Sequence, residues 1–147
     1  MDQAVYKAAN RARVALTHGE KTFVVMRDDK LIHHSNERGF KPILDMMDSD
    51  PAKLEGSIVG DRIVGRSAAY LFIFSKVKAV FALSISDEAV DLLEKHNILA
   101  TWQETVPYIV ERDLTSRYKL DIYIEDVDDP AKATEMIREY LEKNPRE

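Results

Sequence analysis

The chain has 147 residues, no cysteine and a formal net charge of −5. That length suits one domain, residues 1–147, with a single core. The missing thiols exclude disulfides, thiolate metal sites and cysteine nucleophiles, and the acidic balance speaks against duplex nucleic-acid binding, which needs clustered Lys and Arg. With 45% hydrophobic and 32% charged residues the composition is globular. No apolar run reaches the roughly 18 residues of a membrane-spanning helix. Met1-Asp2-Gln3-Ala4 lacks the basic-then-apolar order of a signal peptide. A cytoplasmic protein without a membrane partner is expected.

From Ala4 to His18, the residues Val5, Ala8, Ala9, Ala12 and Leu16 fall on one helical face. This predicts an amphipathic helix whose small-residue stripe packs closely on a sheet. Gly19 stands where a left-handed glycine ends a helix. Thr22 to Met26 and Leu31 to His34 are predicted strands joined by the turn Arg27-Asp28-Asp29-Lys30. After the polar loop Ser35 to Gly39, Phe40 to Asp48 is a short helix with Pro42 in its first turn. Ser49 to Glu55 is a connection with room for one helical turn.

Gly56 to Phe74 is the stretch around which the chain is organised. Ser57 to Val59 is extended, Gly60-Asp61 is a turn, and Asp61 is a candidate N-cap for a helix reaching Ser75. Val64, Ser67, Ala68, Leu71, Phe72 and Ser75 share one face, while Tyr70, Ile73 and Phe74 make the other face apolar too. Such a helix is buried between layers. A β-hairpin is the rival reading, since Ile58-Val59 and Ile63-Val64 flank Gly60-Asp61, but the long pattern downstream favours the helix.

Val77 to Ile85 is a central strand. Ser86 caps the next helix, with Asp87 and Glu88 in its first turn and Asn97 just past its end. Ile98 to Trp102 is a strand, with Trp102 expected in the core. Thr105-Val106-Pro107 starts a short helix through Val110, and Tyr118 to Ile124 alternates as a half-buried edge strand. Asp129-Pro130 opens a last helix to about Lys143. A hairpin followed by αβαβ units predicts a three-layer αβα fold with a mixed sheet of about five strands.

Several runs carry a resemblance. They are Glu37-Arg38-Gly39-Phe40-Lys41-Pro42-Ile43-Leu44, Ser57 through Ala69, Val77-Lys78-Ala79-Val80, Ile85-Ser86 with Leu92-Leu93-Glu94-Lys95-His96, and Val106-Pro107-Tyr108-Ile109. Spanning most of residues 1–112, they resemble an uncharacterised prokaryotic domain-of-unknown-function family, number 1893, with a cytidine-deaminase-like fold. The resemblance implies that fold, and the chain departs from its zinc chemistry. Zinc deaminases place His or Cys at one helix start, with a Glu two residues on, and Pro-Cys-x-x-Cys at the next. The corresponding starts here, Gly60-Asp61-Arg62-Ile63 and Ile85-Ser86-Asp87-Glu88-Ala89, hold neither His nor Cys. The family pattern also includes a Cys-Pro-x-Glu, and Ser116-Arg117-Tyr118-Lys119-Leu120 has none. No hydrolytic zinc deaminase is expected, and whether the chain is an enzyme stays open.

The two helix starts should meet at the carboxyl ends of adjacent strands, where open α/β sheets place ligands. Asp61, Arg62 and Arg66 at one start and Ser86, Asp87 and Glu88 at the other are therefore candidate ligand-binding residues. Ser57 and Ser84 could add hydroxyls, and Arg38 and Lys41 could reach an anion from their loop. Set against this, Asp61 and Ser86 are good helix caps, and loop Arg and Lys usually face solvent. His33 and His34 are consecutive on a strand and cannot chelate together. His18 and His96 sit near helix ends. No P-loop, dinucleotide fingerprint or nucleophile elbow is present, and the Asp126 to Asp129 run is better explained as a helix-capping turn than as a cation site. No metal and no cofactor are expected. The expected partner is a small anionic or nucleotide-like ligand; the alternative is a non-catalytic regulatory or homo-oligomeric assembly module.

Overall fold

A computed structural model describes residues 3–145. The chain opens with helix α1 (Gln3–His18), whose buried residues are the expected Val5, Ala8, Ala9, Ala12 and Leu16. Strands β1 (Phe23–Arg27) and β2 (Lys30–Ser35) form the predicted hairpin. Helices α2 (Lys41–Ser49) and α3 (Pro51–Leu54) follow, each with proline at its start. Then come β3 (Ile58–Val64), α4 (Arg66–Phe74), β4 (Ala79–Ser86), α5 (Asp87–Lys95) and β5 (Leu99–Val106). The chain closes with α6 (Lys119–Tyr123) and α7 (Pro130–Lys143).

The five strands form one mixed sheet in the order β2-β1-β3-β4-β5. β1 runs antiparallel to both β2 and β3, whereas β3, β4 and β5 are parallel. Helix α1 covers one face, setting Val5 and Ala8 against Met26, Ile58 and Ala79, and Ala12 and Leu16 against Val24 and Phe81. On the other face Val25, Val59 and Val80 share a core with α2, α4 and α5, and with α6 and α7 beyond them. Helix α4 thus has the sheet on one side and other helices on the other. Tyr70, Leu71 and Phe72 are wholly buried, each worth roughly 1.5–3 kcal/mol of apolar burial. The apolar circumference of α4 is the sequence feature that put it there. Among the described residues no helix is long and apolar enough to cross a membrane.

Five local expectations are corrected. Neither a helix nor a hairpin turn starts at Gly60-Asp61: β3 runs straight through them, paired on both edges, with Asp61 opposite Phe23 on β1 and Ala82 on β4. Gly60 is there because α1 lies so close. A Cβ at that position would come within 2.8 Å of Val24 Cγ2 and 2.9 Å of Ala12 Cβ. The left-handed residue after α1 is Glu20 (φ 58°) and not Gly19; Gly19 is needed instead because a Cβ would sit 2.7 Å from the Ala15 carbonyl oxygen. β5 continues to Val106, opposite Ser86, in place of a helix from Thr105. Trp102, on this edge strand, is 41% exposed and not in the core.

The fifth correction is the predicted strand Tyr118 to Ile124, which is helix α6. Leu120 and Ile124 are fully buried while Ile122 is 41% exposed. The apolar alternation contained an i, i+4 pair, and that pair is what the core uses. The sheet keeps five strands because β3 supplies the one that this stretch does not.

Candidate functional site

A cavity of about 690 Å³ opens beside the carboxyl end of β3. Asp61, Arg62, Ile63 and Gly65 bring β3 and the start of α4 to it, and Phe23 brings β1. Residues 36–40 and the start of α2 form a second wall. The third wall is the segment after β5, which folds back through an antiparallel bridge between Val110 and Arg117 and delivers Ile109, Arg112, Tyr118 and Asp121. The first loop is fastened to β1 by the Thr22 hydroxyl, which donates to the carbonyls of Ser35 (3.2 Å) and Glu37. The opposite wall is fastened by Tyr118 N–H donating to Ile109 O at 2.8 Å and Lys119 N–H donating to Glu111 Oε1 at 2.8 Å. The Phe40 and Tyr118 rings stack across from these two walls, centroids 6.4 Å apart. The exposed lining is more apolar than polar, as in ligand cavities, but eight of its side chains are charged.

Two of the five acidic side chains that line this space, Asp61 and Asp121, have raised carboxyls. Asp61 Oδ1 accepts the Arg62 backbone N–H at 2.8 Å. Burial pushes the Asp61 carboxyl up to about 7, against the pull of that single bond. Asp121, on α6, is 4% exposed. Its Oδ1 accepts both the backbone N–H of Ser67 (2.9 Å) and the Ser67 hydroxyl (2.5 Å). Helix α4 needs those bonds because its N-cap residue, Gly65, has no side chain to supply one. The other oxygen, Asp121 Oδ2, is buried without a hydrogen-bond partner. A Cβ on Gly65 would collide with that oxygen and lie 2.8 Å from Ile109 Cγ1, so only glycine lets the carboxyl and Ile109 approach the backbone this closely. Burial raises the Asp121 carboxyl above its ordinary range, and the Ser67 hydroxyl with the backbone N–H groups of Ser67 and Arg66 hold it partly down.

Of the residues expected in a site, Arg38, Asp61 and Arg62 line the cavity. Arg38 is exposed, as is Arg112 across the mouth, and neither guanidinium has a partner among the described residues. Arg62 is half-buried and donates through Nε to Lys21 O at 2.7 Å. The others serve elsewhere. Lys41 pairs with Asp45 along α2 at 2.5 Å. Ser57 is buried just before β3, at the strand's other end. Ser84 donates to Glu104 at 2.6 Å. Ser86 caps α5, accepting from Ala89 N–H at 3.2 Å, and Asp87 is exposed in that helix's first turn. Arg66 clasps the chain after α6, donating to Ile124 O (3.3 Å), Val127 O (3.0 Å) and the Tyr70 hydroxyl (3.2 Å). Glu88 lies 3.9 Å from Arg117, which also reaches Glu125 at 3.4 Å. Burial first, then the nearby Asp121, raises its carboxyl.

The two helix starts do follow adjacent parallel strands, with Val64 opposite Ile85, but the first is Gly65-Arg66 and not Asp61-Arg62. Sequence reasoning missed Asp121, Gly65 and Arg112. Asp121 carried one usable signal, an acid one residue from Leu120 inside an apolar run. The helix starts offer Gly65, Arg66, Ser86, Asp87 and Glu88, and no His or Cys for a zinc ion. Among the described residues no three His, Asp or Glu side chains cluster as metal ligands. The residues present do not fit the zinc of the deaminases.

The family model of TM1506, a domain of unknown function (DUF1893), matches residues 11–141. The crystal structure of a DUF1893 family protein (TM1506) from Thermotoga maritima superposes on 97% of this chain and 92% of that one. Its TM-score is 0.78 at 24% identity, a likeness that shows the fold alone. Two crystal forms of Acinetobacter baumannii RibD match 69% of this chain and 35% of theirs, at 15% and 14% identity with TM-scores of 0.44 and 0.46; those values are too slight to argue from. No curated protein matches this chain.

Proposed function

The chain belongs to the DUF1893 family of domains of unknown function, and from that premise we propose that it binds a small anionic or nucleotide-like molecule in the cavity beside β3. The observation that carries this reading is the pairing of a roughly 690 Å³ apolar-walled space with two unpartnered guanidinium groups, Arg38 and Arg112, at its mouth. That volume falls in the range of small-molecule sites. Arginine's planar fork suits carboxylate or phosphate groups. The proposal keeps the deaminase-like fold that the sequence resemblance implies, with a site remodelled away from zinc.

Thermal-shift screening of the chain against inorganic phosphate and nucleoside monophosphates tests it. At least one such compound should raise the melting temperature. Arg38→Ala with Arg112→Ala should weaken its binding by about tenfold or more, since a charge-assisted contact is worth roughly 1.5–3 kcal/mol. A shift that survives the double substitution, or no shift with any of them, would sink the proposal.

A further inference from the structure

The charged groups of the cavity differ in depth. Arg38 and Arg112 are exposed at the mouth, as are Glu20 and Glu37, whereas Asp121 in the same lining is 4% exposed with one carboxyl oxygen buried and unpartnered. Five acidic side chains line the cavity against three arginines, and one of those arginines, Arg62, already donates to Lys21 O. The two acids deeper in the lining, Asp61 and Asp121, suit a hydrogen-bond donor and not a second anion.

We propose that the ligand carries a cationic nitrogen group (ammonium, amidinium or guanidinium) that enters first and donates to Asp121 Oδ2, while its anionic group stays at Arg38 and Arg112. This rests on the binding reading above and names the class of ligand, a zwitterion with an apolar middle. Capping α4 does not account for Asp121 by itself. The cap uses Oδ1, through the backbone N–H and hydroxyl of Ser67, and leaves Oδ2 bare. An unpartnered buried carboxylate oxygen is costly to keep, and a charged donor is the partner that compensates it best. Gly65 is what lets the carboxyl come this close to the start of α4, because any Cβ there would run into Oδ2. Glu20, Glu37 and Glu111, also in the lining, add to the potential that draws a cation toward the cavity. Between the two ends the Phe40 and Tyr118 rings and Ile109 offer an apolar wall for a flat or aliphatic body.

The test is calorimetric titration of the full chain with three probes of nearly one shape: 4-amidinobenzoate, its neutral isostere 4-carbamoylbenzoate, and benzoate. The amidinium probe should bind at least tenfold tighter than the other two. In Asp121→Asn the amide keeps an oxygen for Ser67 but offers an N–H in place of Oδ2. That preference should vanish or reverse, while Arg38→Ala should weaken all three probes alike. Equal binding of the three by the unaltered chain overturns the zwitterion inference alone and leaves the binding reading standing, as does a preference that survives Asp121→Asn in a variant with an unchanged circular-dichroism spectrum. Failure of all three to bind, together with failure of the phosphate and nucleotide screen, overturns both. Should Asp121→Asn not fold, the comparison of probes on the unaltered chain still decides the matter.

Discussion

Helices α4 and α5 begin level with one another, just past the paired Val64 and Ile85 of neighbouring parallel strands, and solve the same problem in opposite ways. At α5 the cap is local: Ser86 Oγ accepts the N–H of Ala89, three residues on. At α4 the cap residue is Gly65, and the acceptor is Asp121, 54 residues from Ser67. A local cap is sterically closed, since its own chain fills the space around it. The remote cap brings a carboxyl group with two oxygens to a place where one is used, and the other is buried against Gly65 without a hydrogen-bond partner. The contrast teaches that α4, lacking a cap of its own, draws a buried carboxyl into the lining of the cavity.

The largest break in that comparison is Asp121→Ala. It strips two hydrogen bonds from the buried start of α4 and leaves the Ser67 N–H and hydroxyl without acceptors. The expected loss is about 3 kcal/mol, from the cost of unsatisfied buried donors added to a lost cap. Urea denaturation at neutral pH measures it, and a loss under about 1 kcal/mol would show that the α4 start does not depend on its remote acceptor.

Asp61 sharpens the comparison from the cavity side. Its folded carboxyl titrates near 7, while the unfolded one titrates near the ordinary value of about 3.9. Between those values the folded state holds the extra proton. This group's contribution to stability is therefore greatest below about pH 4, declines as pH rises to about 7, and is level beyond. Asp61→Asn removes the slope. The variant should equal the parent near pH 4 and exceed it at pH 8 by on the order of 2 kcal/mol, roughly half the full linkage value because the carboxyl faces an open cavity. Stability curves that stay parallel from pH 4 to pH 8 would place Asp61 in ordinary solvent.

What could be read in the sequence follows the same division between local and remote. The α1 stripe, the Ser86 cap and the Asp129-Pro130 start of α7 each express a contact within a few residues, and all three stand as predicted. Asp129 accepts the Lys132 N–H at 3.3 Å. Gly60-Asp61 misled because glycine beside an acid is a turn signal when only neighbours in sequence are weighed. Its cause is α1, packed against Gly60 from some fifty residues upstream. Leu120 and Ile124 fit a strand and a helix equally well, and burial decided between them. Arg66 looked like an anion clamp, but its reach to Ile124 and Val127 depends on how the chain after α6 returns over α4. Of the cavity, the sequence showed Arg38, Asp61 and Arg62. It could not show Asp121 beside Gly65, because nothing in either segment refers to the other.

The smallest expected effect belongs to Ser86→Ala, and it tests whether the two helix starts are as independent as their geometry implies. Ser86 is fully buried, so the substitution leaves the Ala89 N–H without its acceptor and removes nothing from the cavity, whose lining does not include Ser86. Loss of a serine cap costs about 1 kcal/mol. Asp87 and Glu88 remain in the first turn and continue to favour the helix dipole, which keeps the figure from rising. Because Ser86 and the Ser67–Asp121 contact share no hydrogen bond, Ser86→Ala combined with Asp121→Ala should lose the sum of the two single losses to within about 0.5 kcal/mol. A coupling above about 1 kcal/mol in that cycle would mean that α4 and α5, packed against each other in one core, settle their starts together, and the division between a closed local cap and an open remote one would fail.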